Sequence, residues 1–179
     1  MDVTVHQSAN ISRFLGRTMK VNRKTATEVG KLIGYSQPLI SKMKSGDAAL
    51  QFDAINSLFK ALPEQSEFLR IDIANQITGF TPPVANGDRL AETPLAIASR
   101  MRREIDEVEE ALKATDDEFE SKPEFVHDTR DIVDLDKKLF NVMLLAQTLV
   151  ALTGNHFGID IQKMAKDSEQ VWKAERLVK

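Results

Sequence analysis

Residues 25–46 read TATEVGKLIGYSQPLISKMKSG, and their reading decides the fold. Ala26, Val29, Leu32 and Ile33 recur at helical spacing, which predicts a helix over about 26–33 with these residues inward. Gly34 stands where that helix must stop, because glycine adopts the left-handed conformation of a helix terminus at no steric cost. Ser36 is placed to cap a second helix with its hydroxyl. Pro38 falls in that helix's first turn, where a missing N–H costs little. The second helix carries Leu39, Ile40 and Met43 on its inner side and ends at Gly46.

Two short helices joined by a tight turn form the helix-turn-helix pattern, whose second helix enters the DNA major groove. The order Lys24-Thr25-Ala26, Val29-Gly30, Ile33-Gly34, Ser36-Gln37, Ile40-Ser41-Lys42 resembles the Cro/CI superfamily. Within it, the order looks closest to the CII-type regulators of temperate phages. The resemblance covers roughly the first 80 residues. It implies a phage or prophage regulator of transcription, acting at the choice between lysogeny and lytic growth, with RNA polymerase a candidate partner. The long second half goes well beyond the tail of the smallest CII-type proteins, so their mode of activation or oligomerisation is not carried over.

Charge supports the same expectation through its distribution. The 179 residues have a net charge of -3, but residues 1–62 hold nine Lys/Arg against four acids, leaving the remainder at -8. A basic module tied to an acidic one fits a phosphate-binding domain with a separate partner domain. Gln37, Pro38, Ser41 and Lys42 are the expected base contacts, since a glutamine can pair bidentately with adenine. Arg23, Lys24, Thr25, Thr27, Ser36, Lys44 and Ser45 are the expected phosphate contacts, grouped around two helix starts and one basic helix end.

The rest of the chain reads as helical. A first helix is expected up to about Val21, with Ile11, Phe14, Leu15, Thr18 and Met19 inward and Arg13, Arg17 and Lys20 on the other side; residues 1–10 read as loosely attached. Helices over Phe52–Leu62 and Glu64–Ile77 complete a five-helix, lambda-repressor-like domain over 1–78. Residues 79–92, with Gly79, Pro82-Pro83 and Asn86-Gly87, read as a linker to a helical oligomerisation or regulatory domain over 93–179. Thr93-Pro94 opens a helix whose Ala98, Met101, Ile105, Val108 and Leu112 form a heptad seam. An acidic loop over 115–124 leads to a strongly apolar helix over about 124–153, expected to be buried on most sides. Gly154-Asn155 and Gly158 end it, and a last helix begins near Asp160 with Ile161, Met164, Ala165, Val171 and Trp172 inward. The fold class is therefore all-α. A homodimer or higher oligomer is expected through Met101, Ile105, Val108, Leu112, Leu139, Val142 and Leu149, because one such module reads too few base pairs alone.

Other chemistries find less in the sequence. There is no cysteine, so disulfides and thiolate metal sites are excluded. His6, His127 and His156 lack metal-ligand spacing, no Gly-rich phosphate loop or nucleophile motif occurs, and no cofactor, metal or catalytic residue is expected. No window suits a membrane span, and the start lacks a signal peptide, so the expected place is the cytoplasm. One enzymatic alternative is a MazG-type, Mg²⁺-dependent nucleotide pyrophosphohydrolase fused to the DNA-binding module. Glu104-x-x-Glu107 matches that family's first acidic pair, but Asp131-x-x-Asp134 carries Asp where Glu is usual; the plainer reading is an acidic solvated face.

Overall fold

The computed structural model describes residues 8–179, so the expectation for the first residues lies for the most part outside the described ones. These residues are mostly helical, with one two-stranded antiparallel sheet too short to show as an alternating pattern. In it β1 (Ser8–Ala9) pairs with β2 (Leu50–Gln51), Ala9 opposite Leu50. The chain divides into two compact units, one of residues up to Pro83 together with 153–179, the other of 84–152. The division falls inside the expected linker, and the last helix groups with the N-terminal residues.

In the first unit, α1 (Ser12–Val21), α2 (Ala26–Ile33), α3 (Gln37–Ser45), α4 (Ile55–Ala61) and α5 (Glu67–Thr78) enclose a small core. α2 packs on α3 and α4, and α1 on α3 and α5. Ile11, Phe14, Leu15, Val29, Ile40, Met43, Leu58 and Phe68 are buried there, as their spacing predicts. Leu32 is not; it is 56% exposed, because Val29, Gly30 and Ile33 make up the inner side of α2. Two boundaries also differ. A 3₁₀ turn, Phe52–Ala54, precedes α4. α5 starts at Glu67 because Gln65 turns the chain with φ +50 and Asn22 clamps Glu64, accepting from its N–H at 3.0 Å and donating to its carbonyl at 2.8 Å. Gln76 closes the other end of the unit, donating to and accepting from the Asn10 backbone at 2.8 Å.

Arg13, Arg17 and Lys20 are exposed, as expected of the outer side of α1, and the two arginines also reach neighbours on α5. Arg13 lies 3.8 Å from the buried Asp72, and Arg17 stacks 4.7 Å over Phe68. Burial raises the Asp72 carboxyl above its usual range, while Arg13 and a bond from Gln76 oppose that rise.

The second unit is built on α6 (Pro94–Ala114) and most of α8 (Arg130–Phe157), with the short α7 (Asp116–Glu120) and a 3₁₀ turn (Pro123–Phe125) where a loop was expected. Three acids in the first turn of α7 suit a helix N-terminus. α8 starts later than expected because the Asp128 carboxylate takes both the N–H and the guanidinium of Arg130. It also runs on through Gly154 and Asn155. A Cβ at Gly154 would lie 2.5 Å from the Ile161 side chain, so the glycine there serves a close approach, and the break comes at Gly158 with φ +66.

The inward line of α6 is Ile97, Glu104 and Ala111, one residue around from the expected seam. Met101 and Val108 flank it half-buried, whereas Ile105 and Leu112 are exposed. On α8, Leu135, Leu145, Thr148, Ala151 and Leu152 are buried. Val142 and Leu149 are half-buried and Leu139, Phe140, Met143 and Val150 are exposed, so this helix is covered on one side only. In the segment read as a linker, Val84 and Ala85 are buried and Ala85 N–H donates to Thr148 Oγ1 at 3.0 Å. α9 (Ile161–Ala174) buries none of its residues, Trp172 included.

Candidate nucleic-acid interface

Local chemistry fixes the α2–α3 pair. Thr25 caps α2 with a complete capping box: its hydroxyl accepts from Glu28 N–H, and the Glu28 carboxylate accepts from Thr25 N–H at 2.7 Å. These bonds hold the Glu28 carboxyl below its usual range. Gly34 closes α2 with φ +78, and Tyr35 N–H returns to the Gly30 carbonyl at 2.8 Å. Ser36 caps α3, accepting from Leu39 N–H, and Gly46 ends it with φ +92.

This arrangement buries Ile40 and Met43 and turns the opposite side of α3 outward. Gln37, Pro38, Ser41 and Lys42, the four expected base contacts, are all exposed on it. Gln37 Nε2 donates to Ser41 Oγ at 2.9 Å, which holds one amide at the front of the helix and leaves its carbonyl oxygen to face outward chemistry. Of the expected phosphate contacts, Arg23, Thr25, Thr27, Ser36, Lys44 and Ser45 are exposed and Lys24 is half-buried. Arg23 takes a left-handed conformation, φ +50, at the corner before α2. Ser45 Oγ donates to Asp47 Oδ2 at 2.6 Å, so its hydroxyl proton is already engaged.

No protein-family model matches the chain, and no similar curated protein or solved structure was found.

Two features were missed in the sequence. Glu28 sets a carboxylate at the N-terminus of α2, the end expected to receive a phosphate, with Lys24 and Lys31 as the cations that favour its charge. Gly16 of α1 supports Lys44: a Cβ there would lie 3.1 Å from Lys44 Cε, so the lysine stem rests on the glycine. The Thr25-x-x-Glu28 capping box is a local signature, whereas the Gly16–Lys44 approach has none, because it depends on how α1 and α3 meet.

Two acids of the enzymatic alternative, Glu104 and Asp134, are engaged by neighbouring side chains. Glu104 is 2% exposed and engaged by Arg100 at 2.5 Å and by Asn141 at 3.0 Å. Asp134 pairs with Lys138, whose ammonium is held protonated by that carboxylate and further favoured by Glu107 and Glu110. Among the described residues no group of three or more His, Asp or Glu could hold a metal ion, and no helix is long and apolar enough to cross a membrane.

Proposed function

We propose that this chain is a sequence-specific, double-stranded DNA-binding regulator of transcription, of the phage or prophage kind that its helix-turn-helix pattern resembles, working in the cytoplasm. The observation that carries the reading is the exposed side of α3. Gln37, Ser41 and Lys42 stand together there, opposite the buried Ile40 and Met43, with Lys44 beside them and Arg23, Lys24 and Thr27 at the neighbouring end of α2. A short, doubly capped helix with polar and cationic groups outward has the shape and chemistry that base edges and phosphates require. The charge division adds to this: the first unit carries fifteen Lys/Arg against eleven acids, the second nine against sixteen. A gel-shift series with the full chain at rising salt tests the reading; affinity should fall steeply as bound cations release counterions.

The same reading calls for two copies. Ile105 and Leu112 on α6, and Leu139, Phe140 and Met143 on α8, leave apolar area exposed in the second unit. Covering it with a second copy would contribute roughly 25 cal/mol per Å² and hold two recognition helices at a fixed spacing.

A further inference from the structure

The second unit contains a cleft of about 380 Å³, a volume within the range of small-molecule sites. Its floor is apolar: Leu145 is buried, and Leu90 and Leu144 are half-buried beside it. Its polar wall is made of Arg89, Arg100 and Arg103, with Glu104 and Asn141. This is unexpected in a unit with sixteen acids and nine Lys/Arg.

The three arginines are not equivalent. Arg100 is taken up by Glu104, whose other oxygen accepts from Asn141 Nδ2, so the buried carboxylate is satisfied from inside the unit. Arg89 and Arg103 have no carboxylate partner among the described residues, although acidic side chains are abundant nearby in sequence. Two exposed arginines at the edge of an apolar cleft offer donors for one anionic group beside a surface for a short apolar body. Glu104 at the same wall disfavours a doubly charged group more than a singly charged one.

We propose that this cleft binds a small amphipathic organic carboxylate, its anionic end held by Arg89 and Arg103 and its apolar body against Leu90, Leu144 and Leu145. Such a ligand would tie the 85–90 segment to α6 and α8. The proposal is independent of the DNA-binding reading.

Isothermal titration of the full chain with sodium octanoate, 1-octanol and sodium acetate tests it. Octanoate should saturate one site per chain, with octanol and acetate at least tenfold weaker. Arg89→Gln and Arg103→Gln should each weaken octanoate at least tenfold, while Arg102→Gln, next in sequence but outside the cleft, should leave it unchanged. Absence of saturable octanoate binding, equal binding of octanol, or an equal loss in Arg102→Gln would overturn the proposal. Arg89 lies outside any helix, so its variant keeps the test valid if Arg103→Gln disturbs α6.

Discussion

Gly30 and the carbonyl of Tyr35 meet so closely that a Cβ on Gly30 would lie 2.5 Å from the Tyr35 oxygen. The approach folds the turn back onto α2, and the Tyr35 N–H to Gly30 carbonyl bond closes it. Gly30→Ala should therefore push the turn away and destabilise the first unit by about 1–3 kcal/mol, although alanine is the better helix former. Urea denaturation measures the loss. A variant as stable as the parent would mean that the helix pair tolerates a wider turn.

Glu28 and Lys44 should have opposite effects on DNA affinity. Glu28→Gln keeps the capping box, since glutamine can still accept from Thr25, but removes an anion from the end of α2. It should bind all duplexes more tightly. Lys44→Ala should bind all sequences more weakly and flatten the dependence of log affinity on log salt by about one. Fluorescence anisotropy at several salt concentrations reads both, and a weaker Glu28→Gln would place the phosphates elsewhere.

Asp72 predicts a pH signature. Its carboxyl is raised in the folded state, chiefly by burial, so folding favours its neutral form. That contribution is fully present below the unfolded carboxyl value of about 3.9 and is lost as pH rises through the raised folded value. Asp72→Asn keeps an acceptor for Gln76 and removes the buried charge. Its urea midpoint, relative to the parent, should rise between pH 4 and pH 7. A relative midpoint that falls would mean that the Arg13 pairing outweighs burial.

The exposed side of α6 gives a test of self-association. Ile105→Asp should turn a dimer into a monomer by light scattering without lowering helix content, because Ile105 is 45% exposed. A parent chain that is monomeric at high micromolar concentration would contradict the dimer.

The helices α1 to α3 were legible because their signals are local: Gly34, Ser36 with Pro38, and Gly46 each act within a turn of their own position. The faces of α6 and α8 were less so. Periodicity marks an apolar stripe but does not say which edge of it is covered, and Glu104 enters the inward line of α6 only because Arg100 and Asn141 satisfy it. The helical continuation through Gly154 was missed because a glycine that serves a close approach to Ile161 looks in sequence like a break. The roles of Asn22, Asp72 and Gly16 depend on partners far along the chain, which no local pattern reveals.

On the proposed function, α3 reads base sequence through Gln37. The most direct test is selection from a random duplex pool by the full chain, in parallel with Gln37→Ala. The parent should enrich one motif, and Gln37→Ala should relax preference at one base pair of it by roughly 1–3 kcal/mol while retaining the rest. A parent that enriches no motif, or two chains that enrich the same motif equally sharply at every position, would contradict it.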